Sequence, residues 1–263
     1  MITNDRVLLV VILTLLWLSG FGQEKIYDYS FRKHQPYFYA AFALWAGSRI
    51  HAWETPAEVL DEFAEIDRSR LWQLDRKIVG LNSSQADRLS DATLYVSIAA
   101  PFILTLASKA ARKESLSIVL MGLQGYFMES GLNQFCKTLG ERPRPYIYDR
   151  GRDVLDQTIS KNSTASFYSG HTSSSAYFSF FAAKVFQDLN PQSKWNKFVW
   201  MAAIALPATT GYLRVRAGKH FPTDVITGFI IGGGIGILTP SVFQNKRIGV
   251  AVFSNGLNLS LKL

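Results

Sequence analysis

Apolar residues along this chain gather into runs of helical rather than strand length. Five such runs cover roughly 92–108, 116–135, 172–186, 198–213 and 225–243. Several are long enough, or nearly so, to cross a hydrocarbon core that needs about 20 residues. Ahead of them, 36–53 is aromatic and weakly helical. Residues 56–77 read as an amphipathic helix, with Val59, Leu60, Phe63, Ile66 and Leu74 near one face. Thr55 and Pro56 stand where a cap and a first-turn proline belong, and the helix is expected on a membrane surface. The chain opens differently: Arg6 leads a short apolar run, 7–18, followed by small residues. That pattern predicts a secretory signal peptide, or failing that an uncleaved first anchor. At the other end, Leu257, Leu259, Leu261 and Leu263 alternate with polar residues after Asn255-Gly256, a preferred type I′ turn pair. A β-hairpin is expected there, docked on the bundle, a second copy of the chain or the membrane surface.

The pattern divides the chain into a signal peptide or anchor (1–23), an exported, interfacial helical segment (24–90), a helical-bundle core (91–243) and a C-terminal β-hairpin (244–263). The fold class is all-α, a membrane-embedded bundle. Composition agrees: 48% of residues are hydrophobic and 18% charged, against roughly 25% charged in soluble domains. The mean hydropathy of +0.07 is modest for a membrane protein. A net charge of +8 suits anionic lipid or a phosphorylated substrate. No basic block or zinc-finger spacing points to nucleic acid, and the single Cys136 excludes an internal disulfide and a cysteine-built metal site.

Charge also orients the bundle. Lys109, Arg112 and Lys113 lie between two runs and Lys194 and Lys197 between two others, so these turns are expected inside, with Lys246 and Arg247. Residues 138–170 and 214–224 then fall outside, as does an exported start at Glu24. The Arg-rich stretch 137–170 is thus on the wrong side for a basic loop, and that calls for a function.

Three clusters at helix ends supply one. In the first, Glu129, Asn133 and Lys137 share a helix face, and Arg142 and Arg144 are braced by Pro143 and Pro145. Proline fixes the backbone, so a guanidinium there is preorganised for an oxyanion. In the second, Ser169, Gly170 and His171 open a helix whose N-terminal N–H groups favour an anion. In the third, Asp224 lies one helical turn beyond His220, a spacing that can hold one imidazole nitrogen and leave the other free. Alone, each has an ordinary reading: a helix-end cation, a cap, a surface pair. All three map to one side of the predicted bundle, and together they describe phosphoryl transfer without metal.

These residues resemble the signature of the type 2 phosphatidic acid phosphatase superfamily, related to vanadium haloperoxidases and class A bacterial acid phosphatases. That signature is Lys-x6-Arg-Pro, then Pro-Ser-Gly-His, then Ser-Arg-x5-His-x3-Asp. Lys137, Arg144 and Pro145 match the first part, Ser169 to His171 the second, and Arg214, His220 and Asp224 the third. Tyr168 stands in place of the proline and Leu213 in place of the serine. The resemblance implies that Lys137, Arg144, Arg214, Ser169 and Gly170 bind phosphate. It implies that His220 is the nucleophile, Asp224 its orienter and His171 the general acid. It needs no cofactor and no metal. The expected substrate is a lipid phosphomonoester or diphosphate: undecaprenyl diphosphate, a lipid A phosphate, phosphatidic acid or phosphatidylglycerol phosphate. The expected location is a bacterial inner membrane with the site facing the periplasm. The alternative is a soluble periplasmic acid phosphatase, motivated by the polar Glu129, Asn133 and Lys184 within apolar runs. Paired histidine roles predict a bell-shaped pH profile, with His220 neutral and His171 protonated in the free enzyme.

Overall fold

The computed structural model of the chain describes residues 26–27, 29, 31–54, 67–149, 161–244, 247–253 and 256–262. Among the described residues, six long helices form the body: α1 Phe31–Glu54, α2 Ser84–Ala107, α3 Ser115–Gly140, α4 Gly170–Leu189, α5 Asn196–Arg216 and α6 Pro222–Phe243. The five apolar runs are helical, apart from Ser108 at the end of the first, and each helix starts ahead of the apolar run that marks it. Local chemistry sets the limits. The Ser83 hydroxyl accepts from Ala86 N and starts α2, and Ser169 caps α4 through Thr172 N. Pro222 opens α6, where the Asp224 carboxylate reaches back to Phe221 N. The left-handed Glu141 ends α3.

Helix α4 is the centre, packed against α2, α3, α5 and α6. Its inward faces are largely small, with Ser173, Ser175, Ala176, Ala182 and Ala183 buried. The closest approach is by α6. Gly228, Gly232 and Gly236, one turn apart, lay bare backbone against α4. A Cβ at Gly228 would stand 2.7 Å from the Ser169 carbonyl, one at Gly236 2.6 Å from that of Tyr177, and one at Gly232 would overlap that of Ser173. Glycine is therefore required for α4 and α6 to lie this close, in the small-xxx-small manner of apolar helix pairs.

Among the described residues, α2, α5 and α6 are each long and apolar enough to cross a membrane. Their outer faces expose Tyr95 and Ile103 of α2, Phe198 and Ile204 of α5, and Ile230 and Leu238 of α6. The polar residues inside apolar runs point inward. Glu129 is fully buried and accepts from Ser174 Oγ at 3.1 Å, and buried Asn133 donates to the Tyr168 carbonyl at 2.9 Å. Lys184 pairs with Asp188 at 2.5 Å. None of the three is offered to lipid, so they do not argue for a soluble protein.

The two ends of the bundle differ. One end carries the basic turns with Lys109, Arg112, Lys113, Lys194 and Lys197, and the other gathers the starts of α2, α4 and α6 and the ends of α3 and α5. Three sequence expectations change. Tyr27 does not lie with the predicted outside loops: it is buried at the basic-turn end, where its hydroxyl donates to Asp188 at 3.0 Å and its backbone bridges Gln244. From there α1 climbs along α3 toward the opposite end. The expected helix over 56–77 is not continuous where described. Asp67 turns its carboxylate onto Ser69 N, starting a 3-10 turn, and Leu71 and Trp72 are extended before a single helical turn, Gln73–Arg76. Finally, the expected boundary at 90/91 cuts through α2. The segment 1–23, the apolar positions of 56–66, Lys246 and the Asn255 turn position lie outside the described residues. Strands β1 Arg247–Phe253 and β2 Gly256–Lys262 pair antiparallel, with Val250 opposite Leu259.

Candidate active site

Every candidate residue from the three clusters lies at the end of the bundle opposite the basic turns. Lys137 is in the last turn of α3 and reaches the start of α4. A Cβ on Gly170 would stand 3.3 Å from its ammonium. Arg144 caps the 3-10 turn Pro145–Tyr148, fixed by its own N–H to the Ser163 carbonyl at 2.9 Å. Arg214, in the last turn of α5, is 5% exposed and has a buried Nε without a hydrogen-bond partner. Such an orphaned donor is costly unless an acceptor meets it. Ser169 N donates to the Asp224 carbonyl at 3.1 Å, tying the start of α4 to that of α6.

His220 is buried, in the turn between α5 and α6. Its Nδ1–H donates to the Ser166 carbonyl at 2.8 Å, whereas the nearest Asp224 oxygen is 3.8 Å away. The expectation that Asp224 grips the imidazole directly is therefore corrected: the backbone of Ser166 does so. Asp224 acts one step back. Its Oδ2 accepts from Ser166 Oγ at 2.6 Å and from Phe221 N at 2.9 Å, and its Oδ1 from Arg142 at 2.5 Å. The carboxylate is already occupied in starting α6, so it fixes the loop that fixes the histidine. A Nδ1–H held by a carbonyl leaves the lone pair of the neutral ring on Nε2. Burial, then Arg144, Arg214 and Lys137, push His220 well below the ordinary histidine range, against the opposing pull of the Ser166 carbonyl. The ring is thus neutral at physiological pH, the form in which an imidazole can act as a nucleophile.

His171 sits in the first turn of α4, outside the three apolar helices. Its Nε2 is 2.9 Å from Asp91 Oδ1. Burial and the Arg214 charge lower it to about 4, with Asp91 opposing. The expectation of a protonated His171 in the free site is corrected accordingly: the same cations that would hold phosphate repel a proton from this ring. A bound phosphate would cancel much of that repulsion.

A family model described as the PAP2 superfamily matches residues 114–248, about half of the chain. The chain belongs to the PAP2 superfamily. Similar curated proteins are the lipid A 1-phosphatases of Rhizobium etli and Rhizobium johnstonii, each 29% identical over 162 residues, or 59% of this chain. Those residues span 65% and 62% of the relatives' own lengths. A solved structure, that of a transmembrane PAP2-type phosphatidylglycerolphosphate phosphatase from Bacillus subtilis, is similar at 21% identity and a TM-score of 0.46, over 78% of this chain and 96% of that one.

The PAP2 match takes in Lys137 through Asp224 but stops short of three carboxylates that the fold adds to the site. Asp87 accepts from Arg214 at 2.5 Å and lies 3.6 Å from Lys219. Asp91, one turn further along α2, holds His171. Asp75, from the turn before α2 and 1% exposed, takes Arg142 at 2.7 Å, Thr223 Oγ1 at 2.7 Å and Thr223 N at 3.2 Å. Arg142 thereby bridges Asp75 and Asp224. A signal for Asp87 and Asp91 was present: Ser83, a capping residue, precedes two acids four apart. Nothing in the sequence marks Asp75 or the Ser166 carbonyl.

Proposed function

We propose that this PAP2 protein is a metal-independent lipid phosphatase working through a phosphohistidine. The observation that carries the reading is that Lys137, Arg144 and Arg214, from three helix ends, all bear electrostatically on one buried neutral histidine, His220. The cations would neutralise the phosphoryl oxygens, with Ser169 and the Gly170 N–H at the start of α4 adding donors. Nε2 of His220 attacks phosphorus as the ester P–O bond breaks, and protonated His171 gives its proton to the departing oxygen. Water, deprotonated by His171, then cleaves the P–N bond, releasing phosphate and restoring both rings.

A lipid substrate is supported by the apolar belt on α2, α5 and α6 and by an apolar cavity of about 260 Å³ among α2, α3 and α4. Ile98, Phe102, Tyr126, Phe178 and Phe181 help line it. It begins seven residues beyond Asp91 and His171, roughly 10 Å along each helix at 1.5 Å per residue. The relatives named lipid A 1-phosphatases make a phosphate on a lipid A-like anchor the first to try. The basic turns at the far end support an inner-membrane protein with the site facing the periplasm.

The test is phosphate release by purified protein in detergent from lipid A 1-phosphate, phosphatidic acid, phosphatidylglycerol phosphate, undecaprenyl diphosphate and a water-soluble ester. Release from at least one lipid, with a phosphoryl adduct that is lost in His220→Ala together with about 10³-fold or more of the rate, is the expected result. An active His220→Ala protein refutes the mechanism. A clear preference for the soluble ester refutes the lipid assignment.

A further inference from the structure

The first turns of α2 present three polar side chains to the site. Asp87 and Ser90 both contact Arg214, at 2.5 and 3.3 Å, and Asp91 contacts His171. Their spacing of three and four residues places them on one helix face. Asp87 is committed to the cations Arg214 and Lys219. Asp91 is different, because its contact among the described residues is a histidine, at 2.9 Å, and the side chain is half exposed. Among the described residues, the charged groups bearing on His171 are Asp91 from α2, Arg214 from α5 and Lys137 from α3. Two are cationic and disfavour the imidazolium; only Asp91 favours it. A carboxylate bonded to one ring nitrogen fixes the ring, leaves the other nitrogen for the leaving oxygen, and stabilises the positive charge without taking the proton.

We propose that Asp91 is the positioning residue of His171, setting its orientation and charge for protonation of the leaving group. The inference rests on the phosphatase reading above. It gives the segment ahead of the PAP2 match a part in the chemistry. In the step served, the P–O bond breaks as the P–Nε2 bond of His220 forms, the proton passes from His171 to the departing alkoxide, and Asp91 remains a carboxylate throughout.

The decisive comparison is of wild type, Asp91→Asn and Asp91→Glu, full-length in detergent, on a long-chain alkyl phosphate and a nitrophenyl phosphate. An alkoxide needs the proton to leave, whereas nitrophenolate departs unaided. Asp91→Asn should lose about 10²-fold in kcat on the alkyl ester, the lower range for general acid catalysis, and less than about tenfold on the nitrophenyl ester. Its alkaline limb should move to lower pH, and Asp91→Glu should recover most of the alkyl rate. The half-exposed position makes the asparagine variant tolerable to the fold, and an unchanged thermal midpoint checks this. Equal losses on the two esters, or no loss on either, overturn the proposal while leaving the phosphatase reading intact. A wild-type protein that releases phosphate from neither these esters nor the lipid panel overturns both.

Discussion

Arg142 makes the sharpest structural prediction, because it is one cation serving two buried carboxylates. Asp75 and Asp224 are 1% and 0% exposed in their side chains, and Arg142 24%. Its guanidinium donates to Asp75 at 2.7 Å, to Asp224 at 2.5 Å and to Thr223 Oγ1 at 2.9 Å, and stacks 4.5 Å above the Phe221 ring. In Arg142→Met both carboxylates keep their burial and lose their counter-charge. Removing one partner of a buried pair costs about 3–5 kcal/mol. The partial exposure of Arg142 argues for the low end, about 3 kcal/mol. At roughly 2–4 °C per kcal/mol for a chain of this size class, the thermal midpoint should fall by about 6–12 °C. Tryptophan fluorescence during heating in detergent reads it. The double variant Arg142→Met/Asp75→Asn should be less damaged than the sum of the singles by about 1–3 kcal/mol, since neutralising Asp75 relieves the repulsion that Arg142 had screened. A fall of less than about 2 °C in Arg142→Met, or strict additivity, would show that this bridge holds nothing together.

The remaining predictions concern protons and packing. With His171 lowered to about 4, its protonated fraction at pH 7 is only about one part in a thousand, and it grows about tenfold per pH unit on acidification. His220 stays neutral over the same range, so kcat/KM on an alkyl phosphate should climb from pH 8 to pH 5; a rate that is flat or higher at pH 8 contradicts the assigned roles. Stability follows the opposite sign. A histidine depressed in the folded state binds fewer protons than its unfolded counterpart, so His220 leaves the fold undisturbed above pH about 6.5 and destabilises it progressively below. Midpoints measured from pH 8 to pH 4 should decline on the acid side, less steeply in His220→Gln. Finally, Gly232→Ala should cost about 1–3 kcal/mol by forcing α6 from α4 and lower activity with it. Gly234→Ala, where a Cβ meets nothing within 4 Å, should be neutral or gain up to about 1 kcal/mol; equal midpoints for the two would remove the close-packing argument.

Much of the fold was legible because helical runs long enough to cross a membrane are a coarse, robust signal. All five runs became helices, and the clusters came together because each stood at a run's end. What failed was whatever depended on competition between local and distant partners. Residues 67–77 fall within the expected amphipathic helix, yet the Asp67 carboxylate caps its own turn and Asp75 is drawn to Arg142 and Thr223, contacts about 70 and 150 positions away. The Asp224–His220 spacing permitted a direct hydrogen bond, but the same carboxylate was also in reach of Phe221 N and Ser166 Oγ, which took it. Spacing limits what a side chain can touch without choosing among the candidates.

The division between legible and hidden residues has a physical basis. On the proposed reading, Lys137, Arg144, Arg214 and the two histidines meet a phosphate whose geometry is fixed, so their type and spacing are narrowly constrained and stand out in a sequence. The carboxylates that restrain them face no such template. Their effect is to offset an excess of positive charge that would otherwise repel itself, with Asp91 opposing the further depression of His171, and any acid delivered to the right end of the bundle can do it. In this chain α2 delivers two and the turn before it a third, so charge neutrality of the site, and not only shelter for it, depends on the segment ahead of the family motifs. On the proposed reading, neutralising Asp91 alone would leave Arg214 and Lys137 unopposed at His171, and the ring would be harder still to protonate although every cation around His220 stayed in place.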